Sequence, residues 1–90
     1  MPQAIVNPDD LRRFAHTLKQ FNNDLQNRMM VLHGQMTALG DTWRDKEHEK
    51  FAQEFDQTIL VVKRFVESAN LHIPFLIRKA ERVEEYLQQR

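Results

Sequence analysis

The chain predicts an all-α fold, an antiparallel helix-turn-helix hairpin that dimerises into a four-helix bundle. Three observations carry this expectation. Apolar residues recur at helical spacing along two long segments. The one clear break between those segments is LGDTWRDKEHEKF, residues 39 to 51, which holds the second of two glycines and the sole tryptophan. The second segment also carries more apolar surface than one neighbouring helix covers.

Helix 1 is expected over residues 8–39. NPDD at 7–10 is a helix start: Asn7 caps free backbone N–H groups, Pro8 fits the first helical position, and Asp9 and Asp10 favour the positive end of the helix dipole. Apolar residues follow at Leu11, Phe14, Leu18, Phe21, Leu25, Met29, Leu32, Met36 and Leu39, a mean step of 3.5 residues and so a single stripe. Arg12, Arg13, Lys19, Gln20, Asn23, Asp24 and Asn27 lie off that stripe and read as a solvated face. Gly34 weakens the helix without stopping it, whereas Gly40 supplies a C-terminal stop.

The turn is expected over residues 40–45 and helix 2 over residues 46–88. Its stripe runs Phe51, Phe55, Ile59, Val62, Val66, Ala69, Ile73, Leu76, Ala80, Val83 and Leu87, a mean step of 3.6. TILVV at 58–62 suits a strand by propensity, but the helical spacing on both sides overrides it. Pro74 removes one helical hydrogen bond and crowds the carbonyl of Asn70. Because the stripe keeps its phase past it, the expectation is a kink near Pro74 and not an end.

A second row on helix 2, Val61, Phe65, His72, Phe75 and Tyr86, widens the apolar face. Two helices enclose no core, so this row requires a partner, either a second copy as a homodimer or a paralogous hairpin as a heterodimer. The candidate hairpin and dimer core comprises Leu18, Phe21, Leu25 and Leu32 from helix 1. From helix 2 it takes Phe51, Phe55, Ile59, Val62, Phe65 and Val66.

Composition removes several function classes. Thirteen basic and thirteen acidic residues cancel, which argues against a nucleic-acid partner. No apolar run reaches the length of a membrane span, and the first ten residues lack the basic and apolar regions of a signal peptide. With no cysteine there is no thiolate chemistry and no cysteine-containing zinc site. HEKFA at 48–52 begins like a zinc-protease helix but has Ala52 where the second histidine is needed, and His16, His33, His48 and His72 are scattered. Lys50–Glu54 and Lys63–Glu67 are spaced for ordinary ion pairs on solvated faces. No phosphate loop or nucleophile with a relay occurs, so no enzyme, cofactor or metal is expected.

Trp43 stands just beyond the tight turn, where an indole covers the end of a core or, if exposed, forms a recognition hot spot. With that tryptophan at the centre of a two-helix chain, and with Phe51 and Phe55 following, the sequence resembles the WXG family. These are the early-secreted-antigen-like helical hairpins of type VII secretion. The turn motif is Trp43, Arg44 and Asp45, with Asp45 where the family has glycine. Asp45 is itself an acceptable helix N-cap, and Glu47 and Glu49 after it suit a helix start.

The resemblance also implies an export signal after helix 2, a tyrosine followed four residues later by an acidic residue. Here Tyr86 is followed by Arg90, a degenerate form with the opposite charge. What the resemblance implies is a non-enzymatic substrate or adaptor of a type VII-like secretion system, with secretion-system components among its partners. The chain is then cytoplasmic before export by a route independent of a signal peptide. The alternative reading is a cytoplasmic scaffold or chaperone-like hairpin with no export role.

Overall fold

The computed structural model describes residues 6–89, which form two helices, α1 (Pro8–Leu39) and α2 (Lys46–Gln88). Asn7 takes an extended backbone, and its side-chain oxygen accepts the N–H groups of Asp9 at 2.8 Å and Asp10 at 3.2 Å. Two of the free donors of the first turn are thereby satisfied. Asp45 repeats the device at α2, accepting the N–H of His48 at 3.0 Å. Pro74 lies inside α2, which continues through it to Gln88, leaving the Asn70 carbonyl without a helical N–H.

α1 ends at Leu39 with Gly40 as its C-terminal cap, but not through the usual glycine conformation. Gly40 has φ −59°, an ordinary right-handed conformation, so the left-handed cap that favours glycine is absent. The helix tightens instead: Gly40 N–H donates to Thr37 O, Asp41 N–H to Ala38 O and Thr42 N–H to Leu39 O, each at 3.0–3.1 Å. Glycine fits here for space, because a Cβ would lie 3.2 Å from Thr37 O and 3.6 Å from the His48 ring.

The hairpin is a rod of 70 × 16 × 14 Å with a radius of gyration of 20.4 Å. A compact chain of this length would have about 12 Å. Among the described residues there is accordingly no central core, only one seam between two helices. Ala15, Asn22, Met36, Val66 and Ala80 are buried there. Leu11, Leu18, Leu25 and Met29 from α1, and Phe55, Ile59, Val62, Ala69, Ile73, Leu76 and Val83 from α2, are half-buried along it. The seam residues repeat every seven positions, the spacing that keeps two helices in contact over a long left-handed wrap.

The single stripe read along α1 divides in three dimensions. Leu11, Leu18, Leu25, Met29 and Met36 point into or border the seam, while Phe14, Phe21, Leu32 and Leu39 are 44–57% exposed. The physical reason is rotational. Successive positions are about 100° apart, and the seam is centred on Ala15 and Asn22, one position beyond each of two phenylalanines. On α2, Phe51 and Phe65 likewise stand half out of the seam.

At the open end, Arg12 crosses the seam to hydrogen-bond Glu84. Arg12 was expected on a solvated face; it is partly buried by this contact. Among the described residues, neither Lys50–Glu54 nor Lys63–Glu67 closes to an ion pair. The hydrogen bond from Arg12 holds the Glu84 carboxyl below its ordinary value, and the same bond raises Arg12. A depressed carboxyl contributes stability above its unfolded pKa, near 4.5, and loses it as pH falls through the lower folded value. Glu84→Gln should therefore lower the melting temperature slightly near neutrality and flatten its decline below about pH 4.5, so that the two proteins converge in acid, measured by circular dichroism. Val66→Asp, which buries a lone carboxylate in the seam, should abolish the cooperative melt.

Candidate functional site

Several large apolar side chains of the hairpin are exposed. Phe21 of α1 meets Phe65 of α2 edge to face, with ring centroids 6.5 Å apart and planes at 89°. Each remains about half exposed, at 52% and 50%. This pair joins the row Phe14, Phe21 and Leu32 on α1 to the row Val61, Phe65, His72 and Phe75 on α2 across the groove between the helices. Arg78 lies 5.0 Å over the Phe75 ring, and His72 Nδ1 is 2.7 Å from Ser68 O, so it donates to that carbonyl. Monomeric proteins rarely leave so long an apolar band in water.

The tip carries a second aromatic group. Trp43 N–H donates to Leu39 O at 2.8 Å, which fixes the residue over the first turns of α2. Its ring lies 5.0 Å from His48 and 6.0 Å from Phe51, and Phe51 stacks on Phe55 at 6.2 Å. The indole is half-buried: one side covers His48 and Phe51, the other faces out. His48 Nε2 is enclosed beneath it without a hydrogen-bond partner. Arg44 and Asp45 beside it are exposed.

Of the remaining candidate residues, Val66 is fully buried, and Leu18, Leu25, Phe55, Ile59 and Val62 border the same seam. Tyr86 is 48% exposed near the end of α2; Arg90 lies outside the described residues. The methionines separate, with Met36 buried, Met29 at the seam and Met30 exposed in an open groove with Gly34, Ile59 and Lys63. Among the described residues, no three acidic or histidine side chains gather as a metal site, and no helix is long and apolar enough to cross a membrane.

One pair escaped the sequence reading. Asn22, only 1% exposed, donates from Nδ2 to Asn70 Oδ1 at 3.0 Å across the seam. Its signal was available: Asn22 falls in the seven-residue row Pro8, Ala15, Met29 and Met36, where a polar residue has to be buried.

The described residues thus form a two-helix rod with a half-buried tryptophan at its tip and an exposed apolar flank. The family model for "Proteins of 100 residues with WXG" matches residues 3–86, and the chain belongs to this WXG100 family, whose members are non-enzymatic. No curated protein matches. Among solved structures, the secreted protein EsxB of Bacillus anthracis is similar, with TM-score 0.79 at 22% identity over 94% of this chain and 99% of that one. Two point mutants of EsxB give TM-scores of 0.77 and 0.74, at 23% and 20% identity. They cover 93% and 100% of this chain and 97% and 99% of theirs. At such identities the likeness extends to the fold.

The half-buried tip sets a measurable cost. Trp43→Ala should lower stability by about 2 kcal/mol, roughly half the loss for a fully buried aromatic, read from chemical denaturation. A variant that melts like the parent but binds partners less well would assign Trp43 to recognition alone.

Proposed function

We propose that this protein is a substrate or adaptor of a type VII-like secretion system. In this reading it acts by pairing its apolar flank with a second copy of the hairpin in a four-helix bundle. The observation that carries the pairing is the Phe21–Phe65 contact, two half-exposed rings that tie both helices into one continuous apolar face. A second hairpin laid on that face covers Phe14, Phe21, Phe65 and Val61 together and turns one seam into the core of a bundle. The secretion role is supported by family membership and by the likeness to EsxB, which is described as a secreted protein.

Sedimentation at micromolar concentration is expected to give twice the 10.8 kDa chain mass. Phe21→Asp or Phe65→Asp should shift the protein towards the monomer, because each places a carboxylate in the apolar contact. A wild-type monomer that stays folded at that concentration removes the pairing proposal.

The export step tests the secretion reading separately. Arg90 occupies the place where the family signal has an acidic residue, so the chain expressed alone in a host with a working type VII system is expected to remain in the cytoplasm. Co-expression with a signal-bearing partner hairpin, or Arg90→Glu, should move it to the culture supernatant. Retention under both conditions favours the scaffold role, and release of the wild-type chain alone shows that Arg90 is no barrier.

A further inference from the structure

The seam that holds the hairpin together is repetitive. Leu11, Leu18 and Leu25 follow each other at seven-residue intervals on α1, a row that Leu32 and Leu39 continue outside the seam, and Ile59, Val66, Ile73 and Ala80 do so on α2, a row that the exposed Leu87 continues. Sliding one helix along the other by seven residues, about 10 Å, returns leucine to leucine and branched aliphatic to aliphatic. Hydrophobic burial alone therefore discriminates poorly between the native register and its neighbours. The turn of residues 40–45 resists slip only as far as the adjoining helix ends hold. It gives no resistance when α1 of one copy pairs with α2 of another. The Arg12–Glu84 pair is a weak marker as well, since both groups are partly solvated and Glu81 stands close enough to add to the charge at Arg12.

One polar contact has no equivalent in the neighbouring registers. Asn22 is the sole buried polar residue among those described, and its amide finds a partner only at Asn70. The flanking seam positions on α2 are Val66, four residues before Asn70, and Ile73, three after it, and both are apolar. A slip of one turn in either direction sets the Asn22 amide against hydrocarbon, and a slip of seven residues sets it against Lys63 or Ile77. Even in the native register its Oδ1 is buried without a partner, so the site has no spare hydrogen-bonding capacity to soften a misfit. We infer that the Asn22–Asn70 pair is the register selector of this hairpin. It is retained at a cost in stability and holds Phe21 opposite Phe65. Single buried asparagines fix register and partner number in other helical assemblies by the same penalty on unpaired amides. Register is a property of the seam, so the inference stands whether or not two copies pair.

The test is Asn22→Leu/Asn70→Leu, followed by proton NMR. Wild type should show ring-to-ring cross-peaks between Phe21 and Phe65 in one set of resonances. The double variant should melt at a higher temperature, yet show additional cross-peaks from Phe21 to Thr58 or His72, the positions seven residues either side of Phe65. The ratio of native to slipped register is expected to fall by about tenfold to a hundredfold, the equilibrium equivalent of one unpaired buried amide. Asn22→Leu alone should shift the ratio in the same direction. A double variant with a single set of resonances and the Phe21–Phe65 contacts intact overturns the inference. Loss of helicity in both variants also overturns it, because the amides would then be holding the fold together and not choosing among registers.

Discussion

The whole molecule depends on one line of contact between two long helices. Each helix gives a narrow strip to that line, and everything outside the strip meets water or another protein. Small side chains at Ala15, Ala69 and Ala80 keep the contact narrow, and bulkier residues such as Phe14 and Phe21 are turned to its edge. Few residues are fully buried in the described chain, so the seam supplies a marginal core. That shortage and the exposed phenylalanines are the same fact seen from two sides.

The ends of the rod are closed by different physics. At the tip, the last N–H groups of the turn fold back onto Thr37, Ala38 and Leu39, and the Trp43 ring is drawn down over His48 and Phe51. Apolar and aromatic contact dominates there. At the open end the link is the hydrogen-bonded pair of Arg12 and Glu84, which water partly reaches. The tip is thus the more firmly specified end. A half-buried tryptophan there joins the hairpin's internal packing to a surface that another molecule can meet.

Between the two ends, a paired amide sits where the repeat calls for hydrocarbon. Replacing the buried Asn22 with leucine would add apolar burial, so its presence there runs against simple stability, while Asn70 meets it from the exposed edge of the seam. A rod built from repeats needs some irregular feature to define alignment, and alignment decides which aromatic rows meet across the groove. The outward face of Phe14, Phe21, Val61 and Phe65 is continuous only when α1 and α2 are in step.

Much of this was legible from residue spacing. The caps at Asn7 and Asp45, the two apolar periodicities and the break around Gly40 and Trp43 are local features, governed by backbone hydrogen bonding within a few residues. Periodicity also shows that α2 has more apolar surface than one partner covers. Spacing could not divide the α1 stripe, because Phe14 and Ala15, or Phe21 and Asn22, differ by one position, and the rotation of one helix against the other decides which enters the seam. Nor could it find the Asn22–Asn70 bond, which joins residues 48 positions apart in the chain and exists only once the helices are aligned. The glycine stop at position 40 ends α1 with a right-handed backbone and tight turn hydrogen bonds, and the Thr37 carbonyl limits the space beside it. The sequence by itself thus determined two amphipathic helices and an apolar surplus on α2, since periodic burial is encoded locally. Only the tertiary structure decided which aromatic residues stay outside the seam, because the choice depends on how two helices rotate and align against each other.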